Sequence, residues 1–198
     1  MTESVLYAWW ERLRGRLRPR PCPYALASAL EVPGRRLVAG PVKVLNAFGV
    51  MSGTRVLEIG PGTGFYSVEA CRRVGTAGRV FCLDVQSEML RDARQRVIEA
   101  GLAADFICGD AQALPLRDAS VDHVYLIAVL GEIPDRLAAL REVKRVLRPG
   151  GRLSVSEQFP DPDFITRRSS ASFLRGAGFH EQSSRGHLVY TSTWTTAA

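Results

Sequence analysis

The sequence predicts an α/β fold in which a mostly parallel sheet carries helices on both faces. Three observations predict it. Short apolar runs recur between residues 56 and 157, each long enough for one buried strand. Between them lie stretches whose apolar residues repeat at helical spacing, the alternation of a parallel βα sheet. After Phe179 the helices stop, and two runs flank Arg185-Gly186, which reads as a terminal antiparallel hairpin.

Residues 1–40 read as a helical cap and 41–198 as the sheet domain. Val5, Leu6, Trp9, Trp10, Leu13 and Leu17 form one face of a helix over 3–17, which Pro19, Pro21 and Pro23 stop. A second short helix covers Tyr24–Glu31, and Gly40-Pro41 opens a third to about Phe48. Strand 56–59 leads to a helix near 65–73. Strand 80–83 ends at Asp84, before a helix over Ser87–Ala100. Strand 105–108 ends at Gly109-Asp110. The apolar run Val121–Ala128 suits a central strand, and Pro134-Asp135 opens the next helix. Pro149-Gly150-Gly151 turns into strand 152–157; a helix over 169–175 and strands 179–184 and 187–194 complete the chain.

Composition bounds the function. The chain of 198 residues, 46% hydrophobic and 23% charged, suits one folded domain and excludes wholesale disorder. No apolar stretch is long enough to span a membrane, and the start of the chain does not read as a signal peptide. Cys71, Cys82 and Cys108 fall in core-like patterns and Cys22 in the Pro-rich connector. None is paired at metal spacing, so the expectation is free thiols in a reducing cytoplasm, with no metal. Arg12, Arg14, Arg16, Arg18 and Arg20 form a short basic run. It reads as the solvated face of a capping helix; the alternative is a nucleic-acid surface.

The chemistry centres on Val56-Leu57-Glu58-Ile59-Gly60-Pro61-Gly62-Thr63-Gly64-Phe65-Tyr66-Ser67. A strand, a glycine turn and a helix start let a ligand approach the backbone closely. Glu58 decides which ligand. A dinucleotide puts a pyrophosphate here and uses G-x-G-x-x-G, whereas this chain reads Gly60-x-Gly62-x-Gly64. An acid beside a diphosphate is repelled, by roughly a kcal/mol or more at these separations. S-adenosylmethionine carries no phosphate, and its ammonium and sulfonium are positive. Asp84, twenty residues after Gly64, stands where the acid that accepts both ribose hydroxyls belongs. Asp110 ends the third strand, where its carboxylate suits an adenine amino group and the next N–H a ring nitrogen. Phe65 and Tyr66 either contact the ligand or pack under the helix.

With Leu83-Asp84-Val85, Gly109-Asp110-Ala111 and Leu147-Arg148-Pro149-Gly150-Gly151, this stretch resembles the successive motifs of class I S-adenosylmethionine-dependent methyltransferases. The chain is similar to the ubiquinone/menaquinone-biosynthesis type, especially a short bacterial and archaeal subgroup with a stretch like Pro33-Gly34-Arg35-Arg36. The resemblance implies a Rossmann-like, doubly wound sheet of seven strands with the last antiparallel. It implies that Glu58, Gly60, Pro61, Gly62 and Gly64 hold the methionine end, Asp84 the ribose, and Gly109, Asp110 and Ala111 the adenine. Val85 and Met89 would pack on the base, and the backbone near Ile127 would receive the ammonium. In the loop after strand four, members of the subgroup often carry a His before the Glu, where this chain has Gly131. The chain also lacks the substrate-side signatures of quinone methyltransferases.

Methyl transfer is an in-line displacement, and alignment alone can remove about 7–11 kcal/mol of barrier. A base is needed only when the nucleophile must lose a proton. Glu132 and Glu157, each following a central strand, are the candidates. Glu132 could instead cap the helix at Pro134, and Glu157 could pair with an arginine. His123 reads as a strand residue, His180 and His187 as hairpin residues. The expected function is methyl transfer to a small-molecule acceptor. The alternatives are an RNA-binding or RNA-modifying protein and a cofactor-binding partner without catalysis. Acceptor identity and oligomeric state stay open.

Overall fold

A computed structural model describes residues 19–26 and 39–196. Seven strands follow the chain: β1 (Arg55–Ile59), β2 (Arg79–Asp84), β3 (Asp105–Cys108), β4 (Val121–Ile127), β5 (Leu147–Gln158), β6 (His180–Gly186) and β7 (Val189–Thr195). Among the described residues five α-helices accompany them: α1 (Pro41–Phe48), α2 (Ser67–Val74), α3 (Ser87–Glu99), α4 (Arg136–Val146) and α5 (Arg167–Gly176). The alternation of side chains along each strand sorts the core. Leu57, Ile59, Leu83, Val124, Leu126, Leu153 and Trp194 share one face with α4 and α5. Val56, Cys82 and Tyr125 face the other way, onto Leu45 and Phe48 of α1, Cys71 of α2 and Val97 of α3. The doubly wound sandwich follows from burying both faces.

The sheet order is β3-β2-β1-β4-β5-β7-β6. β1 pairs in parallel with β2 and with β4, so the winding reverses beside β1 and opens a crevice at the strands' carboxyl ends. β7 runs antiparallel to both β5 and β6, as the resemblance implied.

Several boundaries differ from the sequence reading for local reasons. β5 begins at Leu147, which pairs with Val121; the ladder then shifts register and resumes at Arg152 opposite His123. Pro149-Gly150-Gly151 is thus an irregularity inside the strand. α4 starts at Arg136 because the Asp135 carboxylate caps it, accepting from the Ala138 N–H at 2.9 Å. Thr166 caps α5 in the same way. The hairpin turn lies at His187-Leu188, two residues beyond the expected place. The helix expected over 3–17, with Arg12, Arg14, Arg16 and Arg18, lies outside the described residues. Of the helix expected over 24–31 the described part, 24–26, is one 3₁₀ turn.

One side chain fixes the long crossover between β3 and β4. Arg145 of α4 donates to the carbonyls of Leu114 and Leu116 (2.9 Å each), to Asp118 (2.6 Å) and to both oxygens of Glu142 (2.8 and 2.7 Å). Glu142 in turn accepts from the Leu114 N–H at 2.9 Å. The knot holds the segment that begins with Gly109 and Asp110. Arg145→Ala is expected to cost about 2–3 kcal/mol in urea unfolding, since it strips carbonyls and carboxylates of a planar, charged donor. Arg79→Ala breaks an ion pair to Asp105 whose side chains are 59% and 37% exposed, and is expected to stay within about 1 kcal/mol. Equal losses would show that the knot adds nothing.

Candidate active site

β1 ends at a turn that needs a glycine. Gly60 has φ +69°, and a Cβ there would run into the side chain of Val129. Its N–H donates to the Leu83 carbonyl at 2.8 Å, tying the tips of β1 and β2. Pro61 and Gly64 shape the turn behind, with the Gly64 N–H on the Pro61 carbonyl at 3.0 Å. Over this turn lies a cavity of about 300 Å³.

The cavity collects most of the expected residues and three strand tips. Gly60 and Gly62 form its floor, Asp84, Val85 and Met89 one wall, Gly109, Asp110 and Ala111 another, and Glu132 the far side. Asp84 is 8% exposed and accepts the Gln86 N–H at 2.9 Å. The Gly62 and Val85 N–H groups also point to it, yet burial outweighs them and raises its pKa. Asp110 accepts from the Gln112 N–H (2.8 Å) and from the Gln112 side-chain amide (3.0 and 2.9 Å). Buried Met89 and half-exposed Val85 supply apolar surface between the two acids.

Glu58, Tyr66, Ile127 and Glu157 are not among the lining residues. The Tyr66 hydroxyl donates to the Ala39 carbonyl at 2.7 Å and accepts from Gln158 at 2.9 Å, so this residue packs under the helix. Ile127 points into the core; the chain then turns through Ala128 at φ +57°, and Val129 reaches the cavity instead. Glu157 lies 1% exposed behind the 129–133 loop. Burial pushes its pKa well above the carboxylate range, with the nearby Asp161 and Glu132 acting in the same direction and the Leu130 and Gly131 backbone opposing them. Glu157 therefore sits against the loop from the inside and does not reach the cavity. At Gly131 a side chain has no room, because the Asp163 carbonyl occupies the space. His123 is buried against Ser154 at 2.9 Å, and burial lowers its pKa to about 3. Among the described residues no group of three or more His, Cys, Asp or Glu is placed to hold a metal.

Pro21, Cys22, Gln86, Gln112, Val129 and Ile133 also line the cavity and were not expected there. Pro21 and Cys22 come from the connector, which at Cys22 meets both Glu132 and Gln86. Cys22 is buried and Cys108 exposed, the reverse of the expectation, because β3 ends at an exposed residue while the connector packs down. All four cysteines are free.

The residues present fit S-adenosylmethionine. A buried acceptor carboxylate stands at the tip of β2, a second acid at the tip of β3, apolar surface between them, and a side-chain-free turn below. Glu58 sits behind that turn. It is 2% exposed and opposite Cys82 and Tyr125 in the sheet, and its carboxylate accepts from Ser67 at 2.5 Å at the start of α2. Burial raises its pKa from 4.5 to about 7, opposed in part by the Ser67 hydrogen bond. The folded protein thus keeps a proton that the unfolded chain has lost between those values. The resulting penalty is absent below about pH 4.5, grows as pH rises, and is complete above about 7, where it amounts to about 3 kcal/mol. Glu58→Gln should therefore gain stability relative to wild type by about this much between pH 4.5 and 8 in chemical unfolding. A difference independent of pH would contradict the assignment.

The profile of the family described as a methyltransferase domain matches residues 57–155, from β1 through most of β5. The chain is 41% identical over 115 residues to the ubiquinone/menaquinone biosynthesis C-methyltransferase UbiE of Cellvibrio japonicus, covering 57% of this chain and 46% of the relative. To the protein of the same name from Hahella chejuensis it is 40% identical over 115 residues. The chain spans about half the length of the curated relatives it matches. Among solved structures, a SAM dependent methyltransferase from Aquifex aeolicus superposes with a TM-score of 0.82 at 26% identity, over 88% of this chain and 99% of the other. The glycine turn and the acids at the tips of β2 and β3 all lie within the matched half of the sequence, and on that match the chain belongs to the methyltransferase domain family.

Proposed function

We propose that this chain transfers the methyl group of S-adenosylmethionine to a small-molecule acceptor. The observation that carries the reading is Asp84, a buried carboxylate at a strand tip that opens onto the cavity and not onto solvent. In this reading Asp84 accepts from the ribose hydroxyls. Asp110 and the Ala111 N–H take the adenine edge, and Val85 and Met89 pack on its faces. Gly60 and Gly62 admit the methionine end to the backbone, and Glu58 acts from behind by fixing the start of α2. The bound cofactor supplies a methyl group already activated on a sulfonium. The chain's part is then to hold its partners in line and exclude water.

The described residues lining the cavity include three acids and no Lys or Arg, which favours a cationic ligand and disfavours RNA. The apolar wall (Val129, Ile133, Pro134) favours a small acceptor. The relatives named as C-methyltransferases of quinone biosynthesis support the same class. Among the described residues no helix is long and apolar enough to cross a membrane, and with four free thiols a cytoplasmic location fits.

Calorimetric titration with S-adenosylmethionine and its demethylated product tests the proposal. Both should bind, and Asp84→Asn should weaken each roughly 10–100-fold, because it removes a charged acceptor from a buried pair of hydrogen bonds. Lack of binding by wild type would refute the function; an unchanged affinity in the variant would refute the role of Asp84.

A further inference from the structure

We propose that Gln86 and Glu132 are positioning residues that clamp the backbone of Cys22 over the cavity mouth, and that cofactor and product exchange requires this clamp to open. Both main-chain polar groups of Cys22 are taken, each from a different wall. Its N–H donates to the Glu132 carboxylate at 3.0 Å, and its carbonyl accepts from the Gln86 amide at 2.9 Å. Gln86 follows β2 and Glu132 follows β4, the two strands that flank β1. The clamp therefore spans the glycine turn. Nearby, the Tyr24 hydroxyl donates to Asp92 of α3 at 2.9 Å.

The local sequence makes Cys22 the residue to hold. In Pro21-Cys22-Pro23 both neighbours lack an N–H, so Cys22 carries the one main-chain donor of the three. The flanking prolines keep it extended. Cys22 is 5% exposed and lines the cavity with Pro21. The cavity, at about 300 Å³, lies at the low end of ligand pockets and has room for one ligand of cofactor size. Some wall must move for a second reactant to enter. The connector is held to both walls at Cys22 by side chains and not by a strand ladder, so it can part without breaking the sheet. Glu132 thereby acts through Cys22, in place of serving as a base.

The inference rests on the cofactor reading of the cavity, and two measurements separate them. Labelling with ¹⁵N-cysteine reports the Cys22 amide by hydrogen exchange in the ligand-free protein. Glu132→Ala should speed that exchange at least about tenfold, and Glu132→Gln, which keeps an acceptor oxygen, should restore most of the protection. Stopped-flow release of S-adenosylhomocysteine should accelerate roughly tenfold in Gln86→Ala and in Glu132→Ala. It should stay within about threefold of wild type in Glu132→Gln, and the double variant should be far from additive because the clamp opens once. A base role for Glu132 would leave product release untouched, so unchanged release in both alanine variants overturns the gating role. A Cys22 amide that exchanges fast in wild type overturns the clamp. A protected Cys22 amide in a wild type that binds no S-adenosylhomocysteine overturns the cofactor reading, and the gating role falls with it.

Discussion

The close approach of the Gly60 backbone to Val129 is the contact on which the site depends. β1 ends in the middle of the sheet, and its neighbours β2 and β4 continue into segments that must pass over its tip. A left-handed φ at Gly60 turns the chain there, and the missing Cβ lets the loop after β4 settle against it. That contact brings Val129 and Glu132 to the cavity, and through Glu132 it brings the connector with Cys22. The floor, far wall and cover of one cavity thus follow from one position without a side chain.

The carboxylates around this tip are divided by environment. Asp84 and Asp110 open onto the cavity and already engage amide donors, so their acceptor geometry is set in advance of any ligand. Glu58 and Glu157 are buried behind the wall, and burial raises the pKa of both. Glu58 bonds Ser67 at the start of α2, and Glu157 lies buried behind the loop that carries Glu132. Removing a buried acid of this kind disturbs the cavity without touching its contents. This makes pH-dependent stability, and not turnover alone, the way to distinguish the two sets.

Much of this was legible in the residues because it depends on local pattern. Apolar runs ending at glycine or aspartate mark strand tips, and the tips of a doubly wound sheet share one crevice; Gly60, Asp84 and Asp110 line one cavity, while Glu58, expected to face the same crevice, lies buried behind the turn. Side-chain alternation also marks the two buried acids. Glu157 lies two residues from Val155 and four from Leu153, on the face that is buried. Glu58 likewise shares the inner face of Val56. Beyond Ile127 the chain turns at Ala128 with a φ that its residue type does not announce, and it is Val129 that lines the cavity. Gln86, Gln112 and Cys22 could not have been found from spacing. Cys22 meets its partners 64 and 110 residues away, and nothing in an isolated glutamine or cysteine signals such a contact. The packing of Asp163 at Gly131 is of the same kind, since it explains a missing side chain only once the two loops are seen together.

Titration of S-adenosylmethionine into wild type and Gly60→Ala, with unfolding followed in parallel, tests the central claim most directly. The account predicts a variant that still folds, with stability reduced by about 1–3 kcal/mol from the left-handed backbone and the displaced Val129. It also predicts that the affinity of wild type for the cofactor falls by at least about a hundredfold, because the floor and far wall of the cavity separate. A Gly60→Ala protein that binds the cofactor as tightly as wild type would contradict the account.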